Sequence, residues 1–140
     1  MSVPEGQREE GKFTLLIKAE ALARYTLQIT SNDKIFLSVY QRALTDDIIE
    51  QAKNSYIFLS EANDVQVRTG TIYWKSDLTD RLTAQEKAVI CLKRLLRLID
   101  LAYRIFHLDT KRVKYWGSMV IDIKNRTRSW MSSDAQRYIF

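Results

Sequence analysis

Proline and glycine are almost missing from this chain, with one Pro and four Gly among 140 residues. The one proline, Pro4, precedes any plausible element. So few breakers disfavour a fold of many short strands and favour long helices. Cysteine is down to Cys91, which excludes an intramolecular disulfide and any multi-cysteine zinc site. Its neighbours Val89, Ile90 and Leu92 suggest a small buried apolar residue. Histidine is down to His107, too little for a histidine-rich metal site or a histidine-based catalytic relay. No apolar run approaches the ~20 residues needed to span a bilayer. The polar, acidic stretch Met1 to Lys12 has no secretory character, so a cytoplasmic protein without membrane association is expected.

What remains is ample for a core, because 46% of the residues are hydrophobic. A chain of this length can bury such a core as a single domain. Residues 1–11 read as a flexible tail, 12–132 as the folded domain and 133–140 as a C-terminal tail. The spacing predicts a first helix from about Phe13 to Ile29, with Leu16, Ala19 or Glu20, Ala23 and Leu27 on its inner face. Ser31-Asn32-Asp33 is a turn cluster. In the link that follows, Ile35, Phe36 and Leu37 are placed to plug one end of the fold.

A second helix is predicted from about Val39 to Val67. Its stripe is Leu44 or Thr45, Ile48, Ala52, Ser55 or Tyr56, Leu59, and Ala62 or Asn63. Residues 66–74, with Gly70, read as an inter-helix turn. The third helix is predicted from about Leu78 to Phe106, through Val89, Leu92, Leu95 or Leu96, Ile99, Ala102 or Tyr103, and Phe106. Asp109 is a good N-cap for a fourth, from about Thr110 to Met131. There Val113, Trp116, Val120, Ile123, Thr127 and Trp130 alternate steps of four and three, the pattern of a bundle seam. The expected fold is all-α, an antiparallel four-helix bundle.

Charge is unevenly spread along the chain. Residues 1–86 carry 10 Lys/Arg against 13 Asp/Glu, whereas residues 87–140 carry 12 against 4. The third helix has Lys93, Arg97 and Arg104 within about 40° of one another at 100° per residue, with Asp100 at the edge. On the fourth helix Lys114, Lys124 and Arg128 fall within about 80°, a sector shared by Gly117 and Ile121 and free of acid. Neighbouring helices would merge these sectors into one basic face, the electrostatic footprint of a nucleic-acid backbone; a merely solvated basic face is the competing interpretation. With no zinc-finger spacing, glycine-rich phosphate loop or aromatic RNA-binding motif, contact with backbone and shape is expected, not with base edges.

Other chemistry is thinly represented. Asp46, Asp47 and Glu50 lack the histidines that di-metal bundles add to their carboxylates, so solvated acids are the simpler account. No serine or threonine lies in a nucleophile-elbow pattern. Neither enzymatic activity nor a metal or other cofactor is expected. Trp116 and Trp130, four turns apart on one face, are candidate core anchors or subunit contacts. Leu96, Leu98, Leu101, Tyr115 and Ile121 fall outside the tightest seams and are candidates for an interface, and Tyr103 for either core or interface. Tyr25, Tyr40, Tyr56, Tyr103 and Tyr115 are available for base stacking, but buried packing accounts for them more simply.

Three stretches carry a resemblance. Ala19-Glu20-Ala21-Leu22-Ala23-Arg24-Tyr25-Thr26-Leu27, followed by Ser31-Asn32-Asp33-Lys34-Ile35-Phe36, resembles the opening of a family of small bacterial four-helix bundles. So does Leu98-Ile99-Asp100-Leu101-Ala102-Tyr103-Arg104-Ile105-Phe106-His107-Leu108-Asp109-Thr110-Lys111-Arg112. The closing Arg128-Ser129-Trp130-Met131 resembles the family's terminal tryptophan turn. The family is the accessory variability determinant (Avd) of diversity-generating retroelements, related to the protein encoded in bacterial ribosomal-RNA intervening sequences. The likeness implies a non-enzymatic, ring-shaped homopentamer that binds RNA or DNA and associates with the element's reverse transcriptase. It would place nucleic-acid binding on Lys93, Arg97, Arg104, Lys111, Lys114, Lys124 and Arg128, and the oligomer interface or core on Leu96, Tyr103, Trp116 and Trp130.

Overall fold

A computed structural model describes residues 5–32, 34–36 and 38–138. Residues 1–4, Asp33, Leu37 and residues 139–140, and with them parts of the predicted tails, turn and plug, lie outside the described residues. Four helices and no strand make up the described chain: α1 (Glu5–Thr30), α2 (Ser38–Asp64), α3 (Trp74–Phe106) and α4 (Thr110–Arg137). Each helix packs on its neighbours in sequence, and α1 also packs on α4, so the four close a cycle around one core. The chain is a helical bundle.

Caps and turns explain where the helices stop. Asp109 accepts a hydrogen bond from the Arg112 main-chain N–H and starts α4. α3 ends at His107, which takes the left-handed conformation at φ 51°, ψ 48° usually left to glycine. Gly70, at φ +83°, makes the corresponding allowance in the turn between α2 and α3.

Trp116 sits at the centre, fully enclosed. Phe36 meets it edge to face at 6.2 Å and meets Phe106 at 5.6 Å. The link between α1 and α2 thus does plug the core through Phe36. The Trp116 indole Nε1–H donates to Thr26 Oγ1 at 3.0 Å, and Thr26 Oγ1 donates to the Leu22 carbonyl at 2.7 Å. Two buried polar side chains satisfy each other in this way, which lets α1 and α4 approach without an orphan donor.

Several boundaries differ from those the spacing predicts. α1 begins at Glu5, so residues 5–11, read from the sequence as a tail, are helical. Gln7, Arg8, Glu9 and Glu10 are good helix formers, which offsets Gly6 and Gly11 in the same stretch, and joining an established helix needs no new nucleus. The inner face of α1 is Leu15, Ala19, Leu22, Thr26 and Ile29: Ala19 is as predicted, while Leu15, Leu22 and Thr26 each precede by one residue the predicted Leu16, Ala23 and Leu27. Adjacent apolar pairs such as Leu15-Leu16 and Leu22-Ala23 fit either register, and the buried threonines that decide between them look polar in sequence. Thr30, like Thr26, is buried and donates back to the carbonyl four residues earlier.

α4 runs six residues beyond Met131, and the predicted C-terminal tail 133–140 is helical to Arg137. Asp134 and Tyr138 are buried. Asp134 accepts hydrogen bonds from Arg81 Nη1 at 3.2 Å and from Gln85 Nε2 at 2.9 Å. The Arg81 guanidinium also donates to the Val65 carbonyl, where the chain leaves α2. A buried ion pair therefore ties the end of α4 to α3 and to the α2–α3 turn.

Candidate nucleic-acid interface

The basic residues stand on the outward sides of α3 and α4. Lys93, Arg97, Arg104, Lys111, Lys114 and Arg128 are exposed, and Lys124 is half-buried. Amphipathic packing dictates this, since Leu92, Leu95 and Ile99 of α3 and Val120 and Ile123 of α4 take the inner faces.

The two basic sectors meet at a close helix contact. Gly117 stands opposite Leu96, whose Cδ2 is 4.0 Å from where a Cβ on Gly117 would lie. Lys93 and Arg97 flank Leu96 on α3, while Lys114, Ile121 and Lys124 flank Gly117 on α4. Nearer the α3–α4 turn, Tyr103 Oη and Thr110 Oγ1 lie 3.0 Å apart and share a hydrogen bond. Leu96 and Tyr103 therefore sit on the seam between α3 and α4, partly buried against the core.

Two acids, Asp100 and the exposed Glu86, share the α3 sector with these cations. Arg104 pairs with Asp100 at 3.2 Å, an exposed contact one helical turn long. The other six predicted binding residues make no ion pair among the described residues. Asp122 of α4 is engaged by Lys18 of α1 at 3.3 Å and by Arg126 of its own helix at 3.1 Å. Burial pushes its carboxyl up, but the hydrogen bonds from Lys18 and Arg126 outweigh that and hold it below the usual range. Arg94 and Arg112 are also exposed on these helices, and the sector count along the sequence did not single them out.

The remaining candidates separate cleanly. Trp116 is core. Trp130 is partly buried against the core, its ring 5.8 Å from the Lys12 ammonium and its indole N–H shielded without a hydrogen-bond partner. Tyr25 stacks edge to face on Tyr115 at 5.2 Å and on Trp116 at 6.4 Å, and burial raises its hydroxyl pKa. Tyr115, Leu101 and Ile121 leave much of their apolar surface in water. The side chain of Tyr40 lies outside the described residues. Burial likewise pushes the Cys91 thiol up, away from the reactive thiolate. Asp46, Asp47 and Glu50 are exposed on α2. Among the described residues no three His, Cys, Asp or Glu side chains gather to hold a metal ion. No helix of the described chain is long and apolar enough to cross a membrane.

The buried cluster Asp77, Arg81, Gln85 and Asp134 is what sequence reasoning missed. A signal existed: 77, 81 and 85 continue the three-and-four spacing that Ala88, Leu92 and Leu95 follow, and 134 continues that of Val120, Ile123 and Thr127. Polar residues in an apolar register mark buried polar contacts.

Comparison with protein-family models, with curated proteins and with solved structures finds no match.

Proposed function

We propose that this chain is a non-enzymatic accessory protein that binds RNA or DNA through the merged basic face of α3 and α4. In this proposal it serves the reverse transcriptase of a diversity-generating retroelement, as the resemblance to the Avd family implies. The observation that carries the binding role is the junction at Leu96 and Gly117, beside which the two cationic sectors lie; among the described residues Arg104–Asp100 is their one ion pair, and Glu86 is a second acid in the α3 sector. Phosphate neutralisation by such a surface needs no base-specific contact. The antiparallel order of the helices belongs to the same proposal. It is supported by the pairing of Tyr103 with Thr110, Leu96 with Gly117, and Gln85 with Asp134, in which one number falls as the other rises.

Assembly into a homopentameric ring is the remaining part. Ring symmetry repeats one basic face around an axis and multiplies the field of a monomer whose net charge is only +5. Reverse-transcription assays with and without the protein test the accessory role. Longer or more abundant complementary DNA is expected with it; unchanged product length and yield would overturn the proposal.

A second function, an oligomeric helical adaptor that binds only proteins, is favoured by the apolar surface left at Phe13, Ile17, Leu101 and Ile121. Salt separates the two. Phosphate contacts weaken steeply as salt rises, while an apolar contact does not.

A further inference from the structure

The turn from α2 to α3 is built as a rigid platform. Arg68 grips Asp77 three times, through its main-chain N–H at 3.0 Å and its guanidinium at 2.9 Å twice. The Arg68 carbonyl accepts from both the N–H and the hydroxyl of Thr71, and the Thr71 hydroxyl accepts from the Tyr73 N–H. Below it, the Val65 carbonyl is held by Arg81, which the buried Asp134 anchors. The backbone from 65 to 77 is thus fixed at both ends.

This fixed turn presents apolar side chains to water. Ile72 is 88% exposed, more than any other large hydrophobic residue described, and Tyr73 is 51% exposed beside it. Arg68 covers one side of the Tyr73 ring at 4.6 Å. An isoleucine and a tyrosine side by side, held in water by a hydrogen-bonded turn, have the form of contact residues awaiting a pocket.

Charge identifies the kind of pocket. The tip itself, Thr69 to Tyr73, has no charge, and that of Arg68 is already matched by Asp77. Its surroundings are acidic on balance: Glu61, Asp64 and Asp80 are exposed and make no ion pair among the described residues, against the exposed Lys75, which lies over the Trp74 ring at 5.4 Å, and Lys87. The outer face of α2 continues this, with Asp46, Asp47, Glu50, Glu61 and Asp64 within about 100° of one another and one cation, Lys53, at the edge of the sector. Such a surface repels phosphate, whether of nucleic acid or of anionic lipid, and attracts cations. α2 packs against α1 and α3 and not against α4, so this acidic side is remote from α4.

We propose that the 68–75 tip and the acidic side of α2 dock a basic protein, Ile72 and Tyr73 entering an apolar socket rimmed by Lys and Arg. Proteins that handle nucleic acid have basic surfaces. The molecule would then be bipolar, holding nucleic acid on α3 and α4 and a nucleic-acid-handling protein on the opposite charge. This inference rests on the accessory function above and assigns the surface that meets the polymerase.

The test uses the full chain and the purified retroelement reverse transcriptase, both nuclease-treated so that nucleic acid cannot bridge them. Ile72→Glu with Tyr73→Ser is expected to weaken polymerase binding about 30-fold or more, equal to about 2 kcal/mol. Helicity and RNA affinity should hold, because Ile72 and Tyr73 lie outside the core and away from the basic face. Undiminished polymerase binding by this variant would overturn the tip proposal alone. A wild-type chain that binds RNA but not the polymerase would overturn the tip proposal and the polymerase partnership together. A lower solution mass of the variant, with polymerase binding kept, would reassign the tip to a second copy of the chain and so overturn its role as a protein-partner socket contact. Binding to neutral phosphatidylcholine vesicles that the substitution abolishes, with polymerase binding kept, would overturn it in favour of a lipid surface.

Discussion

At the residue scale, burial decides which polar contacts matter. Arg81 and Asp134 are both almost entirely withdrawn from water and lie on different helices. Asp134→Ala would leave the Arg81 cation buried without its partner, at a cost of about 3–5 kcal/mol in urea unfolding. The exposed Glu20–Arg24 pair is the contrast, and its removal is expected to stay within about 0.5 kcal/mol. Asp77 sets an acid limit on stability. Hydrogen bonds from the Arg68 side chain and main chain lower its carboxyl pKa from 3.8 to about 2 in the folded state. The contribution is complete above the unfolded value and is lost as pH falls through the folded one. Asp77→Asn should therefore flatten the loss of stability between about pH 4 and pH 2 relative to wild type. Thermal unfolding across that range would show it, and an unaltered acid limb would rule Asp77 out as the cause.

At the element scale, the left-handed His107 and the basic faces make separate predictions. His107→Gly removes a Cβ penalty at the α3 C-cap and is expected to raise stability by about 0.5–1 kcal/mol, after the entropy glycine adds to the unfolded chain. A destabilised variant would mean that the histidine side chain contributes more than its backbone conformation costs. Reversal of Arg97, Arg104, Lys124 and Arg128 to Glu should lower RNA affinity by roughly 100-fold or more at low salt, with the circular dichroism of a helical bundle retained. Retained affinity would place binding elsewhere on the molecule. Helix existence was legible because stripes such as Ile48, Ala52, Leu59 and Leu92, Leu95, Ile99 recur at three and four. Helix ends were less so, because residues 5–11 and 132–137 lie past the last strongly apolar positions and are helical for other reasons. Good intrinsic formers extend α1, and the buried Asp134 holds the end of α4.

At the scale of the whole molecule, the proposed ring and the proposed nucleic-acid role are read by one experiment. Light scattering should give a mass near five times 16.4 kDa, rising when a structured RNA is added at low salt. The rise should vanish steeply as salt increases, since each phosphate contact releases counterions. A monomer indifferent to RNA would overturn both proposals.

The sequence by itself determined that the chain is helical, how many helices it has, and which half carries the positive charge. Those properties follow from local periodicity and composition, which act over one or two turns. It offered the seven basic positions but not the contact by which the two helices that carry them pack. That contact brings Leu96 to Gly117 across two helices, 21 positions apart in the chain. Tertiary structure alone decided which of two equivalent registers α1 buries, that Thr26 and Trp116 satisfy one another, and that Arg81 finds Asp134. It also decided that the α2–α3 turn is fixed with Ile72 outward, where the residues alone read as an ordinary loop. Each of these rests on pairing polar groups across distant positions in a low-dielectric interior, a condition that no local pattern encodes.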